Sequence, residues 1–211
     1  MNIRRRDRII ERPTAVVGTS SFGKSRLENI MRTDVSLTYR LLRFINSAWF
    51  GLRRPIESVR HALVWLGTRE IQKWVALVCL RSMSEDKPNE LVVRAVARAR
   101  MGELMSTKVG MGDHAPDLFM MGMFSMLDSL LDTPMQEILA PLPVNEQIKA
   151  ALLEEPCQFR RVFDTILAYE RADWSNFPTH ATEIRLDEKV MPGIFTQSVE
   201  WAAEAFASAE Q

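Results

Sequence analysis

The stretch from Asp34 to Gly67, DVSLTYRLLRFINSAWFGLRRPIESVRHALVWLG, constrains the fold more tightly than any other part of the chain. Leu37, Leu41, Phe44, Ile45 and Ala48 recur at helical spacing and would line one face of a helix. Asp34 is placed to cap it, its carboxylate accepting from the first free amides. Asn46-Ser47 closes the helix, Gly51 breaks the pattern, and Pro55 pre-sets the start of the next one. Val59, Leu63 and Leu66 then form a second apolar stripe, stopped by Gly67. Two amphipathic helices joined by a short aromatic, arginine-bearing turn must bury their stripes against further helices or a sheet.

The rest of the sequence supplies helices. Thr68 can cap a segment through Ile71, Trp74, Val75 and Val78, and residues 82–88 read as a loop. A long helix is expected from Asn89, with Val93, Ala97, Met101 and Leu104 inward and a stop at Gly110. After a loop over 112–116, a helix over 119–131 would bury Met120, Met123, Phe124, Leu127, Leu130 and Leu131. Thr133-Pro134-Met135-Gln136 has the form of a capping box with proline at the first helical position, and Pro141-Leu142-Pro143 ends the short helix that follows. Further helices are expected over 145–153 and 158–169, then an irregular segment over 174–192, then a last helix over 193–207. No strand-like alternation and no internal repeat occurs. The expected fold is all-α, a multi-helix bundle of about eight to ten helices, with residues 1–25 as a basic leader or linker and 26–211 as one helical domain.

Asp34, Leu41-Leu42, Asn46-Ser47-Ala48, Phe50-Gly51, Ile56, Ser58-Val59, Ala62-Leu63 and Leu66-Gly67 together resemble the HDOD domain, an all-helical output module related to the HD phosphohydrolases. Packing alone would not require an Asn-Ser pair followed by an aromatic-Gly turn. Lys73-Trp74, the run RARMGELM over 98–105 and GMFSMLDSLL over 122–131 look like the HDOD half of bacterial EAL-HDOD proteins. Those join a cyclic-di-GMP phosphodiesterase-type domain to a C-terminal HDOD domain. The resemblance runs from about Leu27 to the end of the chain.

That resemblance bears directly on catalysis. An HD enzyme holds a divalent metal with a His, a His-Asp pair and a distant Asp, and the metal activates a water for attack on phosphorus. This chain has three histidines, His61, His114 and His180, and no His-Asp dipeptide. Where HD enzymes read Gly-Leu-Leu-His-Asp, it reads Gly122-Met123-Phe124-Ser125-Met126, so Ser125-Met126 replaces the pair. Near the first ligand position stands Arg98, a positive charge instead of a ligand. The resemblance therefore implies a degenerate site with no metal, no cofactor and no catalytic residue. Glu103 and Asp128 would lie on neighbouring helices, each a candidate for a buried ion pair with Arg98 or Arg100. No Glu-Ala-Leu tripeptide is present.

Other motifs carry less. GTSSFGKS over 18–25 satisfies the phosphate-loop pattern literally, but no parallel-sheet units follow to present it. Cys79 and Cys157 sit in apolar helical patterns, which implies no disulfide framework and fits a reducing cytoplasm. No apolar run approaches the roughly 18 residues that span a bilayer, so no membrane role is expected. The twelve methionines suit adaptable core packing or an accommodating partner surface.

Formal net charge is zero, which argues against bulk nucleic-acid affinity. It is unevenly spread: residues 1–54 carry twelve Arg/Lys against four Asp/Glu. Arg40, Arg43, Arg53 and Arg54 gather around Trp49 and Phe50, the make-up of an interface hot spot or of a nucleotide grip. Asn46, Ser47, Gly51 and Gly67 are expected to be structural. The expected function is a non-catalytic signalling module acting through protein partners of a bacterial pathway linked to cyclic-di-GMP, with a homodimer left open. Nucleic-acid or nucleotide binding by the basic quarter, and a phosphohydrolase with a rearranged metal site, stand as alternatives.

Overall fold

The computed structural model describes residues 87–142 and 144–210, with the side chains of 207–210 excepted, and scattered positions between Leu42 and Leu80. The chain divides into two compact units, residues 1–83 with 204–211, and residues 84–203. Every regular element among the described residues is helical, as the sequence led us to expect.

In the first unit, Ile45, Ile56, Ala62, Leu77 and Leu80 are buried. Gly67 takes φ +77°, the left-handed conformation that suits a glycine helix stop. Lys73 pairs with Glu70 at 2.7 Å, one turn away.

The second unit begins with α1 (Asn89–Lys108), which starts after Pro88 and ends at Gly110 as anticipated. The Met111 amide donates to the Ser106 carbonyl at 2.7 Å across that left-handed glycine, closing a Schellman motif. Its buried column is Val92, Ala95, Val96, Ala99, Gly102 and Met105. Of the residues expected inward, Met101 is buried as well, while Val93, Ala97 and Leu104 are half-buried. The helix is rotated because its small residues, not its large ones, face its main neighbour.

That neighbour is α2 (Ala115–Phe124), which makes the most extensive helix contact in the unit. It follows a 3-10 turn over Gly112–His114, so part of the expected loop is helical. A methyl group built on Gly122 would lie 2.2 Å from the Ala99 amide nitrogen and 2.4 Å from its Cα. One built on Gly102 would lie 2.8 Å from the Leu118 carbonyl oxygen. Each helix thus contributes a glycine that lets the backbones touch.

The helix expected over 119–131 is broken in two. The Ser125 hydroxyl donates to the Gly122 carbonyl at 2.7 Å, competing with the helical ladder. α3 (Leu127–Leu131) resumes after Met126 and stops at Asp132, φ +50°. The capping box before α4 (Met135–Leu139) does not form. Pro134 is the cap residue itself, and the Thr133 hydroxyl donates back to the Leu131 carbonyl at 3.1 Å.

α5 (Glu146–Leu152) is capped by Asn145, which accepts from the Gln147 amide at 2.9 Å. α6 (Gln158–Glu170) is capped by Cys157, whose sulfur accepts from the Arg160 amide at 3.3 Å. Cys157 is half-buried and holds a helix end; it is not an apolar plug.

The segment expected to be irregular contains α7 (Phe177–Glu183) and a 3-10 turn over Glu188–Val190 before α8 (Met191–Glu210). Asp173 organises the start of α7. Its carboxylate accepts from the Asn176 side-chain amide at 2.8 Å and from the Asn176 backbone at 3.3 Å. The side-chain bond is the main reason the Asp173 carboxyl titrates below its ordinary range.

α5, α6 and α7 end in Schellman motifs like that of α1, with 2.8–2.9 Å closing bonds onto Ala150, Ala168 and Ala181. Their left-handed residues are Glu154, Ala172 and Arg185, at φ +65°, +55° and +57°. A Cβ in that region costs about 1–2 kcal/mol. Ala172 is exposed, so its methyl packs against little in return. Ala172→Gly is therefore expected to raise stability by about 1 kcal/mol, read as a melting temperature roughly 2–4 °C higher.

Candidate functional site

Arg98 is the buried cation around which the second unit closes. It stands on α1 beside Ala99, where the Gly122 contact draws α2 against the helix. Its side chain is only 9% exposed. Burial on this scale demands a counter-charge and a partner for each donor.

The end of α6 supplies the charge. Arg98 Nε donates to Glu170 Oε2 at 2.6 Å, and Nη2 reaches Glu170 Oε1 at 3.3 Å, a two-pronged guanidinium–carboxylate pair. The break between α2 and α3 supplies the rest. Arg98 Nη1 donates to Ser125 Oγ at 3.2 Å and to Met126 Sδ at 3.1 Å. The Phe163 ring lies under the guanidinium, 5.8 Å from centroid to carbon. One turn earlier on α1, Arg94 Nε sits 3.0 Å from Glu170 Oε1. Two guanidiniums thus share one carboxylate, the inner one enclosed and the outer one 56% exposed.

Beside this cluster is a cavity of ≈ 430 Å³, lined by α1, the last residue of α6 and the first half of α8. Arg94, Arg98 and Glu170 line its charged side. Val93, Ala97, Phe195 and Val199 line the apolar side. Phe195 is braced by Tyr169 at 5.5 Å between ring centroids, and Tyr169 by Trp174 at 5.4 Å.

The three positions singled out as a degenerate motif, Arg98, Ser125 and Met126, therefore meet in space. Their common partner, Glu170, was not anticipated. Glu103 pairs with Arg100 at 2.6 Å, one of the pairings considered for it. Asp128 is exposed and accepts from the Ser129 amide at 2.8 Å, so it joins no buried pair. His114 is paired with Asp117 at 3.2 Å and meets the edge of Phe159. Among the described residues, no three His, Cys, Asp or Glu side chains are grouped to hold a metal. None of the described helices is long and apolar enough to cross a membrane. Arg40, Arg43, Trp49, Arg53, Arg54, Asn46, Ser47 and Gly51, and the phosphate-loop pattern over 18–25, lie outside the described residues.

The model of the HDOD domain matches residues 7–140, more than half of the chain. Among curated proteins, the chain is 32% identical to the cyclic di-GMP phosphodiesterase CdgJ of Vibrio cholerae over 85% of its own length and 41% of that protein's. It is 26% identical to the uncharacterized protein YuxH of Bacillus subtilis, over 83% of its length and 43% of that protein's. The chain thus spans about two-fifths of the curated relatives it matches. Among solved structures, an HDOD domain protein of unknown function from Geobacter sulfurreducens aligns over 96% of this chain and 70% of its own, with a TM-score of 0.45 and 15% identity. The matched span takes in the motif residues between Asp34 and Gly67 and the positions of Arg98, Ser125 and Met126: the chain belongs to the HDOD domain family.

Proposed function

We propose that this chain is a non-catalytic regulatory module that acts by protein–protein contact in a bacterial cytoplasmic pathway linked to cyclic-di-GMP. The observation that carries the reading is the occupant of the Arg98 site. At the positions where the family resemblance puts metal ligands, this chain carries a guanidinium, a hydroxyl and a thioether. The guanidinium is already satisfied by Glu170, Ser125 and Met126. A fixed cation repels a divalent metal. Neither a serine hydroxyl nor a thioether is a usual ligand for such an ion. What is left is a rigid polar core, suited to holding helices in register rather than to activating water.

The phosphodiesterase named for the Vibrio relative describes a protein more than twice the matched length. We assign that activity to the part of it that this chain does not match. The link to cyclic-di-GMP is then one of pathway. The contact surface we favour is the arginine–aromatic group of Arg40, Arg43, Trp49, Arg53 and Arg54, because clustered arginine and tryptophan make interface hot spots.

Two measurements test this. The purified chain supplied with manganese or magnesium should hydrolyse neither cyclic-di-GMP nor bis(4-nitrophenyl) phosphate; turnover above the metal-only blank overturns the non-catalytic reading. As bait, the chain should retain a protein partner that the Arg53→Ala/Arg54→Ala variant loses. Capture of nucleic acid alone, released at moderate salt, would instead identify phosphate binding by the basic quarter.

A further inference from the structure

The cavity beside the ion cluster has a chemistry that the regulatory reading does not use. The geometry points to a binding site for a small amphipathic monoanion, an apolar body carrying one carboxylate or sulfonate. At ≈ 430 Å³ the space lies within the range of small-molecule sites. Its walls divide the ligand's two ends. Val93 and Ala97 on α1 and Phe195 and Val199 on α8 make up its apolar lining, an apolar slot for the ligand's body. At one side of the slot stands Arg94.

Arg94 differs from Arg98 in what its donors do. Both use Nε on Glu170. The terminal nitrogens of Arg98 are engaged by Glu170, Ser125 and Met126. Those of Arg94 make no bond to any described residue, and the side chain is more than half exposed. A planar guanidinium with its fork open presents the geometry that a carboxylate or sulfonate accepts in two-pronged fashion.

Glu90 stands one helical turn before Arg94 at the same cavity and is not paired with it. Its exposed carboxylate and that of Glu170 both oppose added negative charge, so a ligand with one charge is favoured over a phosphate with two. The apolar walls give such a ligand burial worth about 0.8 kcal/mol per methylene, so affinity should climb with chain length until the slot is full.

The test is isothermal titration of decanoate into the full chain, with displacement of 8-anilinonaphthalene-1-sulfonate as a second readout. Two variants probe the two ends: Arg94→Gln for the charge, and Val199→Asp for the slot, the latter at a position already 40% exposed. Their thermal unfolding is compared with the parent to confirm that both fold. We expect saturable one-site binding of decanoate, weaker for hexanoate, and at least tenfold weaker in each variant. Absence of saturable binding overturns the proposal. So does binding unchanged in both variants. Loss in Val199→Asp with full retention in Arg94→Gln also overturns it, because the site would then take a neutral apolar ligand.

Discussion

Gly122→Ala is expected to cost about 3 kcal/mol or more of folding stability, the largest loss we foresee from adding one carbon atom. The added methyl would sit 2.2 Å from the Ala99 nitrogen, 2.4 Å from its Cα and 2.5 Å from the Arg98 carbonyl carbon. All three atoms are backbone in the middle of α1, so no side chain can turn aside. The helices must separate, and overpacking of this kind typically costs 1–3 kcal/mol, occasionally more. The gain in helix propensity from Gly to Ala, about 1 kcal/mol, is too small to offset it. Gly193→Ala is the matched control, since a methyl there meets nothing within 4 Å. Chemical denaturation of the two variants should show a large fall in midpoint for the first and a small rise for the second, where the propensity gain meets no clash. Equal midpoints would mean that α1 and α2 do not touch at Gly122.

The second large effect concerns Glu170. Glu170→Ala leaves the Arg98 guanidinium enclosed without its counter-charge, and breaking a buried pair from one side costs about 3–5 kcal/mol. We expect about 3 kcal/mol, because the carboxylate is 17% exposed and water can partly replace it. Arg98→Met should cost less, since Glu170 keeps Arg94 at 3.0 Å. The double variant Arg98→Met/Glu170→Leu should recover most of the loss, as apolar replacement of buried pairs often does. A double-mutant cycle by urea denaturation measures the coupling. Losses below 1 kcal/mol for Glu170→Ala, or effects that simply add, would show the cluster to be solvated and the pair uncoupled. The loss should also change little with added salt, because enclosed charges are poorly screened.

How far the sequence could be read follows from which interactions are local. The existence of α1, α4, α5, α6 and α8 was legible because Gly110, the Pro141–Pro143 break and apolar spacing are local signals. α7 was missed for two local reasons. It has few buried residues, chiefly Phe177 and Ala181, and it ends at Arg185 in a conformation normally signalled by glycine. The orientation of α1 was read only in part, Met101 being buried but Val93, Ala97 and Leu104 half-buried, because periodicity weighs large apolar residues, whereas α2 packs closely at Ala99 and Gly102. At the site, Arg98, Ser125 and Met126 could be grouped by family resemblance. Glu170 could not, because it lies 72 residues from Arg98 and nothing near it in sequence marks a buried carboxylate.

The contact between Gly122 and Ala99 also bears on motion. Most helix interfaces are lined by side chains that hop between rotamers, and those hops let helices slide or rock by small amounts. Where two backbones meet directly, that freedom is missing. α1 and α2 should therefore move as one stiff body, with slow amide exchange at the crossing and rotation only about its outer ends. Any conformational message that this unit carries would have to be a displacement of the pair as a whole, and never a shear between its two members.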